Sequence, residues 1–263
     1  MAKKKKVDSI NPETLAVGFK TGAFTLRKLP NDAYYYNANK LTEALYNGFG
    51  KSWNEITYKD PDFALLKNLR ENTYRFSAAK TFQEAREITD ALVKDNTVVP
   101  FSEFKDFVET INERYNVNWL GTEYNTAQAS GQSASAWARF EDEKETLPNL
   151  RYSTIGDACP ICEPLNGIVL PVDDPFWDDN NVPQHFNCAC ILEQEEGDIK
   201  PISDDKRDEL ASNLEELKDP MFNNNVGKSE EVFTEEHPYF SVPNEYAKFM
   251  DDNFGFKIPA KDQ

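Results

Sequence analysis

The chain has 263 residues, 39% of them hydrophobic, and a formal net charge of -17. That length suffices for one well-buried core, or one core with a small appended module. Such a charge repels nucleic acid and anionic membranes, which disfavours general DNA binding, and no run approaches the roughly 20 apolar residues a membrane span needs.

Residues 1–30 open with Lys3, Lys4, Lys5 and Lys6 but no apolar run behind them, so they do not form a signal peptide. They are expected to be a basic, partly mobile segment whose lysines offer only weak phosphate contact, on a soluble protein made in a cytoplasm. Over residues 31–50 Leu41, Ala44, Leu45 and Phe49 recur at helical spacing, with Gly48 and Gly50 as C-terminal stops. A second helix is predicted from Asp60 and Pro61, which read as an N-cap and first-turn proline, through Phe63, Leu66, Leu69, Thr73 and Phe76. Thr81 with Glu84 has the spacing of a capping box, predicting a separate short helix carrying Ala85, Ile88 and Leu92 before Pro100. Ser102 starts the next, where Phe104, Phe107, Val108, Ile111 and Tyr115 share one face. Residues 119–145 form a long helix rich in Ala127, Ala129, Gly131, Ala134, Ala136 and Ala138, whose small side chains allow close helix approach.

The periodicity changes at Leu147 and Pro148. Residues 152–155 and 168–172 are short, β-branched and apolar, with Asn166 and Gly167 as turn residues. Residues 193–237 carry 15 acidic and 5 basic side chains, suggesting a solvated arm with a helix near residues 205–217. Tyr239, Phe240, Phe249, Phe254 and Phe256 then make the end of the chain aromatic enough to fold back or to dock. The expected fold class is α+β: a mainly helical body at 31–146, a small β-containing, loop-rich module at 147–192, and an acidic arm with an aromatic end at 193–263.

All four cysteines fall within 32 residues: Cys159 and Cys162 as a C-x-x-C pair, then Cys188 and Cys190 just after His185. In a reducing cytoplasm such clustering favours metal over a disulfide framework. Zinc takes four thiolate or imidazole ligands, with sulfur at about 2.3 Å, and would staple a module too small to hold itself by burial. Five candidates compete for four positions. Cys188 and Cys190 lie on one side of an extended chain, so an all-cysteine site with His185 outside it stays open. With so many soft ligands the site reads as closed and structural rather than catalytic, one zinc per chain. His237, in an acidic context before Pro238, reads as a surface residue rather than a ligand.

The run Tyr152, Ser153, Thr154, Asp157, Cys159 to Cys162, Leu165-Asn166-Gly167, then Leu170-Pro171-Val172-Asp173-Asp174-Pro175-Phe176-Trp177 and Phe186 to Cys190 resembles the conserved end of the phage Mu F-like head morphogenesis family. Upstream, residues 122–127 with Gly131 are similar to that family's helix opening, and residues 101–119 to the segment before it. The resemblance covers roughly residues 30–192. It departs at Ala189, where the family has arginine, and around His185, which leaves the ligand set open. It implies a minor head protein of the virion, present in few copies, associated with the portal and with the major capsid or scaffold proteins, and it carries over no catalytic residue.

Residues 152–199 contain no Lys or Arg against ten acidic residues, so this module lacks the cations a nucleic-acid-binding zinc finger requires. A protein-facing surface is expected, with Phe176 and Trp177 divided between core and contact. Two enzyme-like alternatives, a zinc-dependent nuclease of the packaging apparatus and a toxin-like effector, lack respectively a basic groove with an independent base, and a nucleotide-cradling glycine pattern.

Overall fold

Helices dominate, with two small antiparallel sheets, in a computed structural model that describes residues 10–156, 159–196 and 201–246. The mixture is compatible with the expected α+β class. Lys3 to Lys6, Asp157, Phe249, Phe254 and Phe256 lie outside the described residues. The chain divides into two compact units.

The first unit comprises Met1–Thr42, Thr73–Glu123 and His237–Ala260. Its first helix, α1 (Pro12–Lys20), was not expected within the basic segment, although its signal is local: Asn11 accepts the amides of Glu13 and Thr14, and Pro12 supplies the first turn. α1 buries Leu15, Ala16 and Phe19 and lies against α4 (Phe101–Glu113). On α4, Phe104, Val108 and Ile111 are buried as expected, whereas Phe107 is exposed. Just before α4, β1 (Val93–Lys94) and β2 (Thr97–Val98) form a tight hairpin. Its turn residues Asp95 and Asn96 have φ of 51° and 59°, the left-handed geometry of a type I′ turn.

α2 (Asn31–Phe49) and α3 (Phe63–Asp90) each run through the division between units. The two helices expected at 60–76 and 81–92 are one. Thr81 caps nothing: its hydroxyl donates back to the Ser77 carbonyl at 2.8 Å, and the Glu84 carboxylate accepts from Asn116 at 2.7 Å and Asn112 at 3.3 Å. The spacing of a capping box is therefore reused in mid-helix to serve a buried polar cluster. Asp60 spends one carboxylate oxygen on the amide and hydroxyl of Thr57, in the turn that precedes α3.

The second unit comprises Glu43–Asn72, Tyr124–Glu236 and Lys261–Gln263. A π-helical turn, Arg114–Trp119, leads into α5 (Leu120–Glu143). Gly48 is not a helix stop. A β-carbon there would meet the Gln128 carbonyl oxygen at 1.9 Å, and one at Gly131 would meet the Leu45 carbonyl oxygen at 2.4 Å. α2 and α5 thus touch backbone to backbone, as the small residues of α5 suggested. Gly50, with φ of +81°, is the stop.

β3 (Asn149–Ser153), β4 (Val169–Pro171) and β5 (Ile191–Glu195) form an antiparallel sheet in the order β4-β3-β5. β5 was not anticipated. It pairs Leu192 with Tyr152, its charged ends having read as the start of the acidic arm. Ile155, expected in a strand, is 56% exposed beyond the end of β3. The core gathers Trp137, Phe140, Leu150, Tyr152, Leu165, Leu170, Val172, Phe176 and Trp177. Phe176 and Trp177, on α6 (Phe176–Asp179), both belong to this core rather than to a contact surface.

The stretch expected as a solvated arm is packed. α7 (Asp204–Leu217) buries Leu210 and Leu214 in the same core, and α8 (Val226–Ser229) sets Gly227 directly against Trp137. Val232 and Phe233 are buried, their amides both received by the Asn72 side chain. In the first unit His237 is buried, contrary to its surface reading: its ring meets Phe76 edge-on and its Nδ1 accepts the Tyr239 amide.

Candidate metal centre

The second unit brings the five expected ligands together. The loop leaving β3 folds into a tight turn in which the amides of Cys162 and Glu163 both bond the Cys159 carbonyl, at 3.0 and 2.8 Å. Such a C-x-x-C turn aims both sulfurs to one side. Gly167, with φ of +78°, then reverses the chain into β4. After α6, a segment pinned by the Gln184 amide, which donates to the carbonyls of Asn180 and Asn181 at 2.6 and 2.9 Å, delivers His185, Cys188 and Cys190 before β5 begins.

Cys159 Sγ lies 3.1 Å from His185 Nε2, and Cys162 Sγ lies 3.9 Å from Cys188 Sγ. Two triads result, Cys159-Cys162-His185 and Cys162-Cys188-Cys190, each with ligand atoms within 4.8 Å of one another. Cys162 is common to both. No disulfide joins the four cysteines. Cys162 and Cys188 are buried, while Cys159, Cys190 and His185 keep partial exposure.

The surroundings are prepared for anionic sulfur. His185 Nδ1 sits 2.8 Å from the Phe186 carbonyl, which can only accept, so the proton belongs on Nδ1 and Nε2 faces Cys159 as a free lone pair. That is the arrangement of a metal-binding imidazole. Backbone amides of Gln184 and Cys190 near Cys188, and of Ile155 near Cys190, favour the anionic form of those two sulfurs. The Tyr152 hydroxyl donates to Cys162 Sγ at 3.4 Å. Hydrogen bonds from Cys162 and Cys188 pull the Cys190 thiol well below its ordinary range, whereas sharing protons with Cys188 and Cys190, together with burial, pushes Cys162 up. Cys190 is thus the sulfur whose anionic form the cluster favours most, and a bound cation would take the place of the protons the others share. A cleft of about 200 Å³, lined in part by Ser133, Arg139, Asn181, Cys188 and Cys190, borders the cluster.

Residues 38–193, more than half of the chain, match the family described as phage Mu protein F like protein, and the match closes three residues past Cys190. The chain belongs to the phage Mu protein F-like family. No curated protein and no solved structure matches it. In this Mu F-like chain the cation-free stretch at 152–199 is less bare than its composition implies, because neighbouring elements lend it cations. Lys144 pairs with Asp173 at 2.8 Å, Arg207 with Asp174 at 3.4 Å, Lys228 with Asp178, and Arg151 with Glu195. No helix among the described residues is long and apolar enough to cross a membrane.

Three residues around this cluster escaped the sequence reading. Tyr152 stood in the family-like run but had no role attached to it. Gln184 is a neutral residue within an unremarkable loop, and Lys218 lies 28 residues beyond the last cysteine. Only the fold sets Gln184 on the Asn180 and Asn181 carbonyls and places Lys218 at the end of α6, on the Asp179 carbonyl and the Asn180 side chain. Composition carries no sign of either.

Proposed function

We propose that the chain is a non-catalytic minor head protein of a tailed bacteriophage, acting in head morphogenesis at the portal and the capsid shell, with one structural zinc. The observation that carries the first part is the family match over residues 38–193. The zinc reading is supported by the His185 tautomer and by a sulfur spacing of 3.9 Å, close to the edge of a tetrahedron with zinc–sulfur bonds of about 2.3 Å. Four of Cys159, Cys162, His185, Cys188 and Cys190 would be ligands. The zinc would tie the loop after β3 to the loop before β5, closing the end of the sheet's longest pairing where Ser153 faces Ile191. With every position taken by sulfur or nitrogen, no site remains for an activated water, which favours a structural role over hydrolysis. Tagged protein purified from infected cells should bring down the portal and major capsid proteins and should be found in procapsids and virions. Absence from both particles, with neither partner recovered, would overturn the assignment.

A further inference from the structure

Lys218 follows α7 directly and is 5% exposed. Its Nζ donates to the Asp179 carbonyl at 2.6 Å and to Asn180 Oδ1 at 2.9 Å, both neutral acceptors. Among the described residues no carboxylate comes within 4.0 Å of it. The Asp179 carboxylate acts on it only from a distance and is itself exposed, so water screens it. A buried ammonium without a counter-ion is costly, and burial draws its pKa down to about 8. Besides Asp179, the one group that favours its charge is the sulfur of Cys162, the residue common to both triads. Its acceptors also belong to the segment that holds the ligands. Gln184 bonds the Asn180 carbonyl, and its backbone amide favours the anionic form of Cys188.

We infer that Lys218 is a positioning residue of the metal centre, the fixed positive charge that balances a net-anionic metal–thiolate cluster. This rests on the metal reading above. A divalent ion with three thiolates and one neutral imidazole carries a single negative charge, which one ammonium cancels; four thiolates would leave one charge over. Lys218 therefore favours a set of three cysteines with His185.

The test is a zinc titration of the reduced, metal-stripped full chain against a competing chelator, for wild type, Lys218→Met and Lys218→Arg. Loss of the charge should weaken zinc binding by roughly 10–100-fold, the usual effect of removing an outer-shell partner, while Lys218→Arg stays within a few-fold of wild type. A merely structural lysine would give a different pattern: the Met variant would melt lower with and without zinc, at unchanged affinity. The inference instead expects the metal-free Met protein to melt no lower than wild type, and its gain in melting temperature on adding zinc to shrink. Should the Met variant not fold, Lys218→Gln keeps a donor for both acceptors, removes the charge and carries the same comparison. Wild type that binds zinc beside a Met or Gln variant of equal affinity overturns the inference and leaves the metal reading intact. Wild type that takes up no zinc overturns both.

Discussion

Cys162 is where the chemistry of the cysteine cluster concentrates, since it is buried, accepts from Tyr152 and belongs to both triads. Cys162→Ser should therefore lose zinc completely, whereas Cys159→Ser or Cys190→Ser removes a donor from one triad only and should bind more weakly without losing all metal. Equal zinc retention in the three proteins, measured by chelator competition, would contradict this order. The cysteines and His185 were legible because their spacing is rare by chance. The tautomer of His185 was not, because it depends on the Phe186 carbonyl and hence on the local path of the backbone.

Glu84 is a second residue with a measurable signature. It is 2% exposed, its Oε2 has no hydrogen-bond partner among the described residues, and burial raises its pKa to about 7 against the attraction of Lys80. Lys80 is itself buried and paired with Glu123, and Glu87 adds a weak like-charge repulsion. A carboxyl whose folded pKa lies above its unfolded value of 4.5 stabilises the fold below that pH. The contribution is lost as pH rises through about 7. The difference amounts to on the order of 3 kcal/mol. In Glu84→Gln the fall in stability between pH 5 and pH 8, read by urea unfolding, should shrink by about that amount. An unchanged pH dependence would show that Glu84 does not titrate in that window.

At the scale of elements, the close crossing of α2 and α5 gives a prediction with an internal control. Gly48→Ala would drive a methyl group into the Gln128 carbonyl, backbone that cannot swing aside, and should cost about 2 kcal/mol or more. Gly121→Ala meets nothing within 4 Å and should stabilise α5 by up to about 1 kcal/mol. Equal effects of the two changes on the urea midpoint would refute the packing. Amphipathic elements such as α4 were readable from Phe104, Val108 and Ile111, and the small residues of α5 correctly signalled a close neighbour. The reading failed where one local pattern has two uses. Thr81 and Glu84 have the spacing of a helix start but serve a buried cluster in mid-helix, and Gly48 looks like a stop but is a contact. β1 and β2 are too short to show alternation, and β5 hid within an acidic run because its Glu193 and Glu195 are drawn off by Ser153 and Arg151.

For the whole molecule, the residues taken for an acidic arm complete the second unit's core through Leu210, Leu214 and Gly227, since packing across more than 60 residues leaves no local trace. The charge of -17 persists, although ion pairs mute part of the acidic surface. We expect no nuclease activity and no submicromolar DNA binding at physiological salt. A gel shift that persists after deletion of residues 1–6 would contradict that expectation, while a shift lost with the deletion would assign it to Lys3, Lys4, Lys5 and Lys6.

The most direct test of the account is the metal content of the full chain purified under reducing conditions, by elemental analysis, together with its melting temperature before and after chelation. The account predicts close to one zinc per chain, a lower melting temperature once zinc is removed, and neither zinc nor a chelator effect in Cys162→Ser. A folded protein with metal near zero, or a Cys162→Ser protein with the metal and melting temperature of wild type, would contradict it.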